Sequence, residues 1–166
     1  MGYRNAEFYP DPTAGLAFAR IARAERRQAL PIKIILYGAP RTKKNHQQIR
    51  KTPSGRRFVA PSKAYMEYEG TCLAQIKRPQ QAISEAVNVT LLYYMPTRRR
   101  VDKTNLEESL LDILVRAGVL ADDNRDIVAA TDGSRVLYDK QNPRVEITIT
   151  RMEGYQQWSS GKNKEA

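Results

Sequence analysis

"RRRVDKTNLEESLLDILVRAGVLADDN", residues 98–124, holds the pattern on which the fold turns. At about 100° per residue, Leu106, Leu110, Ile113, Leu114 and Ala117 fall on one arc. Glu108, Asp112 and Arg116 fall on the opposite arc. The spacing predicts an amphipathic helix over 104–117, with one face for a core and one for solvent. Thr104 followed by Glu107 has the form of a capping box, in which each side chain satisfies a backbone N–H of the first turn. Gly118 stands where a helix wants a left-handed residue after its last turn. Asp112 and Arg116 are four apart, the spacing of an ion pair along a solvated face.

Upstream, "AVNVTLLYYM" (86–95) is β-branched and aromatic and reads as a central strand. Downstream, "IVAATDGSRVLYD" (127–139) reads as one or two strands with a turn at Asp132-Gly133. "PRVEITITRM" (143–152) alternates with period two, a strand with one solvated face. Further out, "IKIILYG" (32–38) is a first strand. "APRTKKNHQQIRKTPSGRR" (39–57) is a long basic loop with a hairpin tip at Pro53-Ser54-Gly55, and "RFVAP" is a short strand. "SKAYMEYEGTCLAQIKRP" (62–79) is a helix capped by Ser62 and stopped by Pro79. Near the start, Asp11-Pro12 opens a short alanine-rich helix that Pro31 closes. The expected fold is α+β: a single domain with a mixed sheet, helices packed on one face, and an added N-terminal helix. The expected division is a helical extension over 1–31, a main domain over 32–152 and a polar tail over 153–166.

The chain has 166 residues and a net charge of +10, and the charge is unevenly spread. From Arg26 to Met66 there are 11 Lys or Arg residues and no acid, a field that attracts polyanions, nucleic acid first. Eight of the 18 acids lie instead between Arg98 and Asp132. The single Cys72 forms no internal disulfide and reads as a core residue, and there is no Cys/His metal motif. No apolar run is long enough for a membrane span, and the N-terminus lacks an apolar signal core. A cytoplasmic setting without membrane attachment is therefore expected.

Asp102 stands at a strand-to-helix junction, and Asp122 and Asp123 stand in the turn after the helix. Short connections at both helix ends suggest that these acids converge at one end of the sheet. Mg²⁺, or Mn²⁺ in its place, takes few carboxylates, keeps waters and binds phosphate oxygens through its other positions. Such an ion polarises a phosphodiester and lowers the pKa of an attacking water, while nearby Lys and Arg offset the developing charge. The Tyr65, Tyr68, Tyr93 and Tyr94 rings read as core or interface. His46 sits in a loop, a poor place for a general base.

"VDKTNLEESLLDILVRAGVLADDNRDIV" (101–128) resembles the RusA family of Holliday junction resolvases, small phage and prophage endonucleases. Asp102, Asn105, Leu106, Asp112, Gly118, Asp122 and Asp123 fall on the family pattern in order. "GAPRTKKNHQQI" and "TDGSRV" extend the likeness to roughly residues 32–151. The resemblance implies a RusA-like fold, a homodimer, four-way DNA junctions as substrate, and Mg²⁺-dependent nicking of opposed strands in recombination and repair. By position, Asp102 and Asp123 match two essential aspartates of the family. Thr104 stands where a third is usual, a version that some members carry, and Glu108 replaces a lysine. Either Asp122 or Glu108 then completes the metal shell, with Glu108 reaching back toward Asp102, so the implied catalytic set is Asp102, Asp122, Asp123 and Glu108. The implied DNA-binding residues are Lys43, Lys44 and Asn45 on the loop, and Arg98, Arg99 and Arg100 before Asp102. A non-cleaving protein of the same fold that holds branched DNA is the alternative, as is a structure-specific nuclease with another substrate.

Overall fold

The strand Val87–Met95 is the axis of the computed structural model, which describes residues 29–44 and 48–155. In chain order the elements are β1 (Ile32–Tyr37), β2 (Gln48–Lys51), β3 (Arg57–Ala60), α1 (Lys63–Gln75), β4 (Val87–Met95), α2 (Lys103–Arg116), β5 (Val128–Ala130), β6 (Arg135–Tyr138) and β7 (Arg144–Arg151). The main sheet runs β1-β7-β4, with β5 and β6 sharing the far edge of β4. β7 is antiparallel to both β1 and β4, whereas β5 and β6 run parallel to β4. The sheet is therefore mixed, as expected. The helix expected over 13–30 lies, but for residues 29 and 30, outside the described residues.

Alternation explains why the sheet has one covered face. Val87, Val89, Leu91 and Tyr93 of β4 and Val145, Ile147 and Ile149 of β7 are buried, and their neighbours in sequence are half-buried. Leu36 of β1 joins them. Leu106, Leu110, Ile113 and Leu114 of α2 and Tyr68 and Cys72 of α1 fill the same core, so both helices lie on this face. The buried arc of α2 is the one that the sequence spacing marks, with Ala117 half-buried at its end. Burying a Leu or Ile side chain is worth roughly 1.5–3 kcal/mol, so these four residues dominate the docking of the helix.

Local signals act where they were expected. Ser62 caps α1, its Oγ accepting from Tyr65 N at 3.2 Å. Gly118 takes φ +74° after α2, and its N–H donates to Val115 O. Asp132-Gly133 is a turn wedged between β5 and β6. There the side chains of Asn88 and Thr90 bond the backbone of Asp132, and Ser134 Oγ accepts from Leu91 N. Tyr65, Tyr68 and Tyr93 are core residues, and burial pushes all three phenols up beyond ordinary titration. Burial also pushes the Cys72 thiol up, away from the thiolate a nucleophile needs.

Two expectations are corrected. The hairpin tip at Gly55 (φ +84°) and the short strand after it are as expected, but Gln48–Lys51 of the basic loop is also a strand, so residues 48–60 form an antiparallel ribbon of their own, β2 with β3. The helix starts at Lys103, and its N-cap is Asp102, not Thr104. Thr104 lies within the first turn, and Glu107 pairs with Lys103 at 2.8 Å instead of closing a capping box. Asp102 and Thr104 are both good caps, and the folded chain uses the earlier one.

Candidate active site

Asp102 takes extended backbone at φ −79°, ψ 113°. Its Oδ1 accepts from Asn105 N at 3.3 Å and its Oδ2 from Asn105 Nδ2 at 3.1 Å. The "DxxN" spacing thus has a local purpose: Asn105 orients the carboxylate, and the helix N-terminus favours its charge. The side chain remains exposed, with lone pairs to spare for a further ligand. Beside it at this end of the sheet, the Arg98 guanidinium lies 4.5 Å from the Tyr138 ring centroid. Arg99 and Arg100 are exposed.

Asp122 and Asp123 sit beyond the other end of α2. Asp122 Oδ1 accepts from Asp123 N at 2.7 Å and Oδ2 from Asn124 Nδ2 at 2.8 Å. These two bonds hold the Asp122 carboxyl below its usual range. Asp123 moves the opposite way: partial desolvation, then its contact with Asp122 and the charges of Asp112 and Asp122, push it up. A strained set of like charges of this kind is relieved by a proton or by a cation.

The expected convergence does not occur within one chain. β5 and β6 run parallel to β4, so α2 is a crossover connection. A crossover leaves at the carboxyl end of one strand and returns at the amino end of the next, which puts its two loops at opposite ends of the sheet. The 14 residues of α2, at about 1.5 Å each, make about 21 Å between the ends. Mg²⁺ ligands lie about 2 Å from the ion. Asp102 therefore does not share an ion with Asp122 and Asp123 of its own chain. Among the described residues no group of three or more His, Cys, Asp or Glu side chains is placed to hold a metal. The oxygen donors suit a hard divalent cation; their placement in a single chain does not.

The middle of α2 is occupied by the basic loop. Lys43 N donates to Ser109 Oγ at 2.7 Å, and its ammonium reaches Asp112 Oδ2 at 2.7 Å. Lys44 pairs with Glu108 at 2.6 Å, and Arg116 pairs with Glu69 of α1 at 2.7 Å. The hydrogen bond from Asp112 is the largest influence that raises the Lys43 pKa. Three expectations change here. Glu108 turns to Lys44 and does not reach back to Asp102. Asp112 and Arg116 each take a partner from another element, not one another. Lys43 and Lys44 are already charge-paired in this state. Asn45 and His46 lie outside the described residues. Sequence reasoning missed Ser109 and Glu69 in this cluster, and also Arg144, which bonds Asp139 and Glu146 and stacks 3.6 Å above the Tyr94 ring. Lys43 and Asp112 are 69 positions apart, so periodicity carries no signal of their contact.

The family model for endodeoxyribonuclease RusA matches residues 37–150, from the end of β1 through β7 and across both acidic ends of α2. Enzymes that cut DNA internally are thus the class to which this fold belongs. The match covers well over half of the chain, and the chain belongs to the RusA family. No curated protein matches it significantly. Among the described residues no helix is long and apolar enough to cross a membrane.

Proposed function

We propose that the chain resolves four-way DNA junctions as a divalent-metal-dependent endodeoxyribonuclease, nicking opposed strands as a homodimer. The observation that carries this reading is the retention of Asp102, Asp122 and Asp123 at the two ends of α2 in a chain of the RusA family. A protein that only binds DNA gains nothing from exposed carboxylates, which repel phosphate when no cation is present.

The separation of the acids supports the homodimer part of this reading. In a two-fold pair, a patch on one copy meets its complement on the other, twice. If a two-fold axis sets the amino end of α2 in one copy beside the carboxyl end of α2 in the other, Asp102 of each lies near the Asp122–Asp123 turn of its partner. Two equivalent sites then face two opposed strands. When bound there, Mg²⁺ or Mn²⁺ would supply Lewis-acid polarisation of the phosphodiester and a more acidic water. This chain's own contributions are distinct. Asn105 holds the Asp102 carboxylate in place, and Asn124 with the Asp123 N–H does the same for Asp122. Arg98, Arg99 and Arg100 precede Asp102 and hold the backbone phosphates.

Cleavage of an end-labelled four-way junction in Mg²⁺, beside linear duplex of the same sequence, tests this. Paired nicks on the junction alone support the reading. Equal cutting of linear duplex would sink the junction assignment. Binding without nicking in either Mg²⁺ or Mn²⁺ would make the protein a branched-DNA binder with an inactive centre, with Thr104 as the first suspect.

A further inference from the structure

The β2–β3 ribbon has features that the rest of the fold does not explain. It forms a sheet separate from the main one, and Ala60 at its base is its one buried side chain among those described. A two-stranded ribbon alone is marginally stable, yet this one displays large apolar side chains to water. Ile49 is 73% exposed, Val59 60% and Phe58 45%.

The register arranges these residues. Ile49 stands directly opposite Val59, and Lys51 opposite Arg57. Side chains two apart on a strand share a face, so one face carries an apolar pair with a basic pair next to it toward the tip. Arg50 and Phe58 stand opposite one another on the other face. Arg56 adds a further cation beside the turn, and no acid lies anywhere between Arg26 and Met66.

Exposed apolar surface of this kind marks an interaction site. Charge selects the partner. A second copy of the ribbon would bring like charges face to face, whereas a polyanion is complementary. A two-stranded ribbon fits the width of a DNA groove, and apolar side chains that enter between base steps unstack them. At a branch point stacking is already interrupted, so base-pair faces are open to such side chains at low cost.

Resting on the junction reading above, we propose that the β2–β3 ribbon recognises the branch point, with Lys51, Arg56 and Arg57 on the backbones and the Ile49–Val59 pair against the open base-pair faces. The basic residues bind any DNA. The apolar pair supplies the preference for a branch.

The test uses the full chain in EDTA, so that binding is read without cleavage. The probes are a four-way junction with 2-aminopurine beside the crossover and a linear duplex carrying the same label. The double variant Ile49→Thr/Val59→Thr keeps β-branched side chains at both positions and so retains the ribbon. The expected result is about a tenfold loss of junction affinity, unchanged duplex affinity, an unchanged salt slope and loss of the 2-aminopurine fluorescence rise. Lys51→Ser/Arg57→Ser should instead weaken both substrates alike and reduce the salt slope by about two. The proposal is overturned if the threonine variant keeps the wild-type junction preference and fluorescence. It is also overturned if that variant loses duplex affinity equally, or turns a wild-type dimer into monomers in sedimentation. Wild type that binds junction no better than duplex would instead refute the junction reading itself.

Discussion

Lys43 and Asp112, 69 positions apart, are joined by a 2.7 Å ion pair that lays the basic loop along the outer face of α2. Both side chains are about a third exposed or more, at 45% and 31%. Solvent screening therefore limits the pair to about 0–1 kcal/mol. Under the proposed function its larger effect is on DNA, because a lysine held by a carboxylate is less free to take a phosphate. Asp112→Asn should leave thermal stability within about 1 kcal/mol of wild type. It should also raise duplex affinity in EDTA and steepen the salt dependence of log K by up to about one unit. Fluorescence anisotropy across a salt series measures both. The Lys43 pKa is raised above 10.5. The stability it contributes is thus complete below pH 10.5 and is lost as pH rises through the folded value. Above neutral pH, wild type and Asp112→Asn should accordingly converge in stability only in strongly alkaline solution.

Asp102 caps α2 and in the proposed function also serves the chemistry, and two substitutions separate these roles. Asn is as good an N-cap as Asp, so Asp102→Asn should fold with nearly wild-type stability and lose nicking by orders of magnitude. Asp102→Ala should lose nicking and also about 1 kcal/mol of stability. Urea unfolding beside a junction-cleavage assay checks both. Equal destabilisation by the two variants would show that Asp102 is not the working cap.

The separation of Asp102 from Asp123 makes a complementation experiment decisive. Asp102→Asn and Asp123→Asn chains should each be inactive alone. Mixed and allowed to exchange subunits, they should form heterodimers with one intact pair, and nicking of one strand should reappear. If both acids served the same chain's site, the mixture would stay inactive.

Asp123 has a raised pKa in the folded state, through desolvation and the nearby Asp122 and Asp112 charges. A raised carboxyl contributes stability below its unfolded value, near 3.8, and loses it as pH rises through the folded value. At neutral pH its charge therefore opposes folding. Asp123→Asn should raise Tm at pH 7, and the gain should vanish near pH 3. Mg²⁺ should raise the Tm of wild type and have a smaller effect on the variant. Asp122, with its depressed pKa, acts in reverse. Its stabilisation is present above the unfolded value and is lost as pH falls through the folded one.

Much of the fold is legible in the residues themselves, because local chemistry acts over a few positions. The alternation in 86–95 and 143–152 marks the core face of β4 and β7, and the arc from Leu106 to Leu114 marks the buried side of α2. Ser62, Gly55, Gly118 and Gly133 mark the ends and turns at which they are found. The family pattern is equally local, since its acids, its Asn and its Gly lie within one strand–helix–turn unit. The choice between Asp102 and Thr104 as cap is the limit of such reasoning, for both offer an oxygen to the first turn and only the folded chain shows which one caps it.

What only the tertiary structure decided is which of these residues meet. A helix of known length still has to return the chain beside β4, and whether the next strand runs parallel or antiparallel is set by packing across the whole sheet. Here it runs parallel, so the two acidic connections lie at opposite ends and Asp102 stays apart from Asp122 and Asp123 of its own chain. The same packing lays the 39–44 loop over α2, so that Lys43 and Lys44 meet Asp112 and Glu108 instead of open solvent. Sequence determined the chemistry available at each end of the helix, because propensity and capping are properties of neighbours. The partners of those groups depend on strand direction and loop path, which arise from burying one core shared by residues more than 100 positions apart.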